Sequence, residues 1–224
     1  MISQSKRPLP HTRGSPPPAA VGGAFARLAE LTGVVLVFAA SGGVAKALAD
    51  EPSVPASGTS HPIVSIREYA VPAVRLVRED GKVVSLPEEM NDGRPVVLNF
   101  IFTSCRTICP LMSSVFAQFE RRLGVEADKV HLMSISIDPE EDTPGRLLEY
   151  ARKFHAGPDW QHYTGTLDAS IAVQRAFDVY RGAKMSHTPV TLLRAAPGKS
   201  WLRIDGFVRP DDLVRDYRDL LAVR

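Results

Sequence analysis

The chain has 224 residues, 44% of them apolar, which is enough for one sizeable domain plus a tail and argues against wholesale disorder. Its net charge of +2 is unevenly placed: Lys6, Arg7, Arg13, Arg27 and Lys46 face only Glu30 in residues 1–49, so the remainder is slightly acidic and offers no basic footprint for nucleic acid. The only two cysteines stand four positions apart, which excludes a disulfide framework and points to redox chemistry or metal binding.

Residues 1–26 are rich in Pro, Ser and Gly, without apolar periodicity. Leu31 to Ala45 is an uncharged, mostly apolar run of 15 residues, preceded by Arg27 and followed by Ala47-Leu48-Ala49 and Asp50. This basic, apolar, small-residue order predicts a secretory signal over residues 1–49, with an uncleaved membrane anchor as the alternative. No twin-arginine pair precedes the run, so the general secretory route is expected. The chain is therefore read as exported, to the periplasm or the outer face of the cytoplasmic membrane. Residues 50–62 have linker composition.

Residues 63–224 are expected to form the folded domain. Val74 to Leu86 reads as a hairpin turning at Asp80-Gly81. Val96 to Phe102 is a near-continuous apolar run, the pattern of a strand buried on both faces. Residues 110–123 carry a helical apolar stripe through Leu111, Val115, Phe116, Phe119 and Leu123. Val130 to Ile137 predicts a second central strand, and Thr143 with Pro144 caps and opens a helix through Arg146–Phe154. A third helix is expected over Asp168–Phe177. A strand over Val190–Leu193 with its hairpin partner over Trp201–Val208 follows, and Pro210–Leu221 closes the chain. Alternating β and α segments followed by a late hairpin imply an α/β fold with a mixed central sheet flanked by helices.

The segment Thr103 to Pro110 joins the first central strand to its helix and holds both cysteines, at the strand end where open α/β sheets gather reactive groups. Free backbone N–H groups at a helix start favour thiolate, the form that attacks disulfides and binds metals. On a regular helix Cys105 and Cys109 would lie about 5–6 Å apart at Cβ, too wide for an easy disulfide but suited to a bridging soft ion such as Cu(I).

A third ligand has to come from elsewhere. Of six histidines, His11 lies in the leader and His61 in the linker. His131 falls inside a central strand and reads as a hydrogen-bonded core residue, whereas His155 and His162 are expected at the surface beside a helix end. His187 precedes Thr188-Pro189 at the mouth of a strand that should neighbour the cysteine strand. Thioredoxin-like folds place a cis-proline there facing the cysteines, and if Pro189 is that proline, His187 is within reach of both sulfurs. The acidic run Asp138, Glu140, Glu141 and Asp142 reads as a solvated, helix-capping loop rather than a hard-metal site. Gly198-Lys199-Ser200 imitates the end of a phosphate-binding loop, but Leu193 stands where that motif needs Gly, so a hairpin turn is expected.

The run FIFTSCRTICPLMSSVFAQFERRL, followed by SISIDPEEDTPGRLLEYARKF, closely resembles the Sco/SenC family of copper chaperones. The matching motifs are C-x-x-x-C-P, here Cys105 to Pro110, and D-P-x-x-D-T, here Asp138 to Thr143, ahead of a distant histidine. The resemblance implies a thioredoxin-like fold outside the cytoplasmic membrane and one copper ion, Cu(I) or Cu(II), held by Cys105, Cys109 and His187. It also implies a role in assembling the dinuclear copper centre of cytochrome c oxidase, whose copper-binding subunit would be the client. The C-terminal third departs from the family pattern: Met185-Ser186 precedes His187 where many members have Asp before the histidine, and Ala196-Pro197-Gly198 replaces the usual D-P-x-G turn. A second reading makes the pair a thiol–disulfide oxidoreductase acting on the cysteines of a copper-site client. A peroxiredoxin-type peroxidase is disfavoured, because Phe102 and Leu98 stand where that motif needs Thr or Ser and Pro.

Overall fold

A computed structural model describes residues 61–223. The expected leader and the linker up to residue 60 lie outside the described residues. Among the described residues no helix is long and apolar enough to cross a membrane.

The centre is a βαβαβ run of parallel strands, β4 (Val96–Ile101), β5 (His131–Ser136) and β6 (Trp160–Thr164). They are connected by α2 (Ile108–Leu123) and α3 (Pro144–Lys153). All six residues of β4 and of β5 are buried, which explains why these segments are largely apolar, with the small polar side chains Asn99, Ser134 and Ser136 buried among them. The antiparallel hairpin of β7 (Val190–Arg194) and β8 (Trp201–Asp205) extends the sheet beyond β4, and β1 (Ile63–Arg67) pairs antiparallel with β8 at that edge. Beyond β6 lies the hairpin of β2 (Arg75–Arg78) and β3 (Val83–Ser85), giving the order β1-β8-β7-β4-β5-β6-β2-β3. The sheet is mixed, as expected. Gly198, at φ 75°, lies in the turn between β7 and β8, so the phosphate-loop look-alike is a hairpin turn.

Alternation along the strands separates two cores. Leu98, Phe100, Met133 and Ile135 meet Val173 and Phe177 around α4 (Leu167–Ala176), on the face that also covers Leu86 and Met90 of the short α1 (Leu86–Met90). Val97, Leu132 and Leu193 meet Phe116 and Phe119 of α2 and Tyr217 of α5 (Pro210–Ala222), with the Phe119 ring edge-on to Tyr217 at 5.5 Å. A third cluster closes the end of the sheet: Ile101, Phe102 and Cys109 against Leu147 and Tyr150 of α3. That cluster seats the cysteine segment.

Three elements go beyond the sequence reading: β1, α1 and β6. The last of these corrects the placement of His162. It is fully buried in β6, paired with Ser134 of β5, between the rings of Trp160 at 5.1 Å and Tyr150 at 6.1 Å. The sequence Trp-Gln-His-Tyr-Thr hides its strand character because its alternation serves two different cores, Trp160 facing one and Tyr163 the other. His155 is exposed and His131 is buried and hydrogen-bonded to Tyr163 Oη at 2.9 Å, both as expected.

Candidate metal centre

The cysteine loop leaves the carboxyl end of β4 and enters α2 at Ile108, after Thr107 with φ −123° and ψ −78°. Cys105 therefore lies outside the helix and Cys109 in its first turn, so the regular-helix spacing argument for the pair does not apply. Thr107 makes no side-chain cap, and the Cys109 N–H instead donates to Cys105 Sγ at 3.3 Å. The Cys105 sulfur thus takes the place of a capping oxygen at the positive end of the helix. Both cysteines are free thiols, Cys109 fully buried and Cys105 half-buried.

This placement makes the two thiols unequal. Partial burial opposes ionisation of Cys105, but hydrogen bonds from the Cys109 and Thr107 backbones and side chains outweigh it and hold the thiol below its ordinary 9.0. Burial pushes Cys109 far upward; the Phe102 backbone opposes this, and the neighbouring Cys105 sulfur adds to the rise. The pair is built from a half-buried thiol that ionises more readily than usual and a fully buried thiol that resists ionisation.

The loop is anchored by Asp142, a residue the sequence reading placed in a solvated loop. Asp142 is fully buried. It accepts the Thr103 N–H at 3.1–3.2 Å, the Thr103 hydroxyl at 2.5 Å and the Ser136 hydroxyl at 2.6 Å. Burial raises its carboxyl pKa above 3.8, with the Ser136 and Thr103 donors working in the opposite direction. The cap itself falls to Thr143, whose Oγ1 accepts the Arg146 N–H at 3.3 Å. Only the spacing of D-P-x-x-D-T signalled Asp142, because its partners lie on two other elements. Glu140 and Glu141 are at the surface, and no metal site forms from the run.

His187 stands at the same end of the sheet, since β7 pairs antiparallel with β4 through Asn99 and Thr191. The peptide bonds of the described residues are all trans, Thr188–Pro189 included, so strand pairing and not a cis-proline sets the position of His187. The ring is 5% exposed, with Nε2 3.1 Å from the Phe100 carbonyl. A carbonyl only accepts, so in the neutral ring Nε2 carries the proton and Nδ1 keeps the lone pair. Burial lowers the His187 pKa below 6.5, the Phe100 carbonyl opposes this, and Arg181 lowers it further. The structure brings Cys105 and Cys109 into contact. It does not bring His187 into one coordination group with them, for among the described residues no three His, Cys, Asp or Glu side chains converge on a point able to hold a metal ion.

Comparison with known proteins places this architecture. The SCO1/SenC family model matches residues 67–222. The chain belongs to the SCO1/SenC family. It is similar to the SCO1 protein homolog of Bacillus subtilis, 36% identical over 104 residues that cover 46% of this chain and 53% of that relative. The chain spans about half, or less, of the length of the curated relatives it matches. Among solved structures it is similar to Bradyrhizobium japonicum ScoI with copper bound, with a TM-score of 0.58 and 25% identity, covering 68% of this chain and all of that one. It is also similar to BsSco, described as a member of the Sco family of cytochrome c oxidase assembly proteins with a disulfide switch. There the TM-score is 0.60 and the identity 26%, over 72% of this chain and 99% of that one. As in these Sco neighbours, the fold is thioredoxin-like.

Proposed function

We propose that this chain is an exported metallochaperone that carries one copper ion on Cys105, Cys109 and His187 and delivers it to a copper-site client, the dinuclear centre of cytochrome c oxidase. The observation that carries this reading is the cysteine pair itself. A helix start seats Cys105 with its thiol biased toward thiolate, in contact with Cys109. Two sulfurs and a neutral imidazole are a soft donor set that suits Cu(I). The Phe100 carbonyl supports the third position: a ligating histidine commonly donates its other ring N–H to a carbonyl, which leaves Nδ1 of His187 as the donor nitrogen. Copper is cargo here, so a site that a partner's ligands can reach through the half-buried Cys105 is more useful than a closed cage. The similarity to copper-bound ScoI and to BsSco, a cytochrome c oxidase assembly protein, supports this reading.

The test is copper binding by the reduced, purified chain. One copper per chain is expected. The Cu(II) form should show an intense sulfur-to-copper absorption that disappears in Cys105→Ser and Cys109→Ser and changes in His187→Ala.

The inequality of the two thiols favours one competing activity. In thiol–disulfide exchange, Cys105 thiolate would attack one sulfur of a client disulfide, forming a mixed disulfide and releasing one client thiolate. Cys109, once deprotonated, would then attack Cys105 Sγ, closing the Cys105–Cys109 disulfide and releasing the second client thiol. The client gains two electrons and the pair loses two. A chain that binds no copper yet reduces disulfides rapidly would establish this reading in place of the first.

A further inference from the structure

The turn that carries His187 is held in a way its own packing does not explain. Lys184–Ser186 form a single 3-10 turn, closed by Ser186 N–H to Ala183 O at 2.9 Å and His187 N–H to Lys184 O at 3.2 Å. Residues 181–186 are all exposed, and Met185, at 78% exposure, buries little apolar surface to hold the turn in place. The turn also borders a cavity of about 340 Å³, whose other walls include Ile137, Leu167, Ile171 and Tyr180. A turn over a void depends on point contacts. Two of these come from one side chain. Lys184 Nζ lies 2.5 Å from Asp138 Oδ2 and 6.0 Å from the centroid of the Phe102 ring. Asp138 is 6% exposed just beyond β5, and Phe102 is the residue between β4 and the cysteine loop. Lys184 therefore ties the histidine turn to both strands whose ends support the cysteines.

We propose that Asp138 and Lys184 are positioning residues for the metal site, an ion-paired clamp that sets the backbone of His187 against the cysteine loop. The proposal rests on the copper reading of that site. Neither side chain is a ligand. The Phe100 carbonyl orients the imidazole, and the clamp fixes the turn from which the imidazole projects. Lys184→Met keeps the length of the side chain and removes its charge at an exposed position, so folding is not at stake.

Two measurements on the full chain test the clamp. The first needs no metal. In the wild type, long-range nitrogen–proton spectra should show His187 as a single Nε2–H tautomer, with slow exchange of the Ser186 and His187 amides. Lys184→Met should average the tautomers and speed that exchange, and Lys184→Arg should restore both. The second is Cu(I) affinity by chelator competition, expected to fall about two- to fivefold in Lys184→Met, the range of an ion pair whose lysine is exposed, and to recover in Lys184→Arg. The Cu(II) absorption of Lys184→Met should shift toward that of His187→Ala. Wild-type tautomer, exchange and affinity in Lys184→Met would overturn the clamp. A released turn with unchanged copper affinity would overturn its positioning role, and a wild type that binds no copper would overturn the copper reading and the positioning role with it.

Discussion

Asp142→Ala should be among the most damaging single changes at the cysteine loop, although residue 142 lies in a run that reads as solvated. The carboxylate receives three donors: the Thr103 N–H, the Thr103 hydroxyl and the Ser136 hydroxyl. Removing it strands a backbone N–H at the start of the loop and leaves two hydroxyls to find new partners. An unsatisfied buried donor costs about 1–3 kcal/mol and a lost hydroxyl bond about 1 kcal/mol, so the total is about 3–5 kcal/mol. For a domain of this size that is a fall in Tm of about 8–15 °C, read by thermal melting in circular dichroism. Asp142→Asn keeps one acceptor oxygen for Thr103 and should cost only about 1–2 kcal/mol. Reactivity gives a second readout: with Thr103 released, the Cys109 N–H no longer holds Cys105 Sγ in register, and the Cys105 thiol should titrate closer to 9.0. The pH dependence has a definite sign. The native carboxyl pKa is raised above 3.8, so the folded state binds the proton more tightly than the unfolded state. This group's contribution to stability is full below pH 3.8 and is lost as pH rises through the raised value; Asp142→Asn should lack that step. A Tm for Asp142→Ala within about 2 °C of wild type would refute the anchoring role.

Other consequences can be measured independently. Alkylation of the reduced chain by iodoacetamide, followed by mass spectrometry, should modify Cys105 first, with a rate midpoint below pH 9.0, while Cys109 stays protected by burial and its raised pKa. Faster labelling of Cys109 would contradict the assignment of exposed and buried thiols. Neither ring nitrogen of His162 makes a well-formed hydrogen bond, and burial lowers its pKa from 6.5 to about 3, only slightly offset by a weak contact with the Trp160 backbone. The unfolded chain therefore takes up a proton that the native state refuses. Stability is complete above pH 6.5 and falls by about 1.4 kcal/mol per unit below it, and His162→Phe should flatten that slope in urea titrations between pH 7 and 5. Equal slopes in both proteins would count against a buried neutral imidazole. Thr143→Ala removes the only side-chain cap of α3 and should cost about 1 kcal/mol by chemical denaturation; a neutral result would mean that water replaces the cap.

What the sequence disclosed and what it hid follows from the range of the forces involved. β4 and β5 were legible because burial on both faces writes itself into consecutive residues, Val96 to Ile101 and His131 to Ser136. The start of α3 was legible because its cap and first-turn proline are local chemistry at Thr143 and Pro144. β6 was not, since its five residues divide between two cores that form only once the sheet exists. The site divides in the same way. That both cysteines sit at one strand-to-helix junction could be read directly, but the helix geometry assumed for them could not. Cys105 ends up outside α2, in a loop whose Thr103 is held by a carboxylate 39 positions away. The orientation of His187 depends on a carbonyl 87 positions back, and its turn on an aspartate 46 positions back. No local pattern encodes those pairings. They also separate two kinds of residue at this centre. In the proposed copper site Cys105, Cys109 and His187 would act through the chemistry of their own atoms. Asp142, Phe100, Asp138 and Lys184 would act by holding those atoms in place; the D-P-x-x-D-T spacing marks Asp138 and Asp142, but only the folded chain reveals their partners. Substitutions in the second group should therefore change affinity and reactivity by degrees, whereas removal of either cysteine should abolish the sulfur-to-copper absorption altogether.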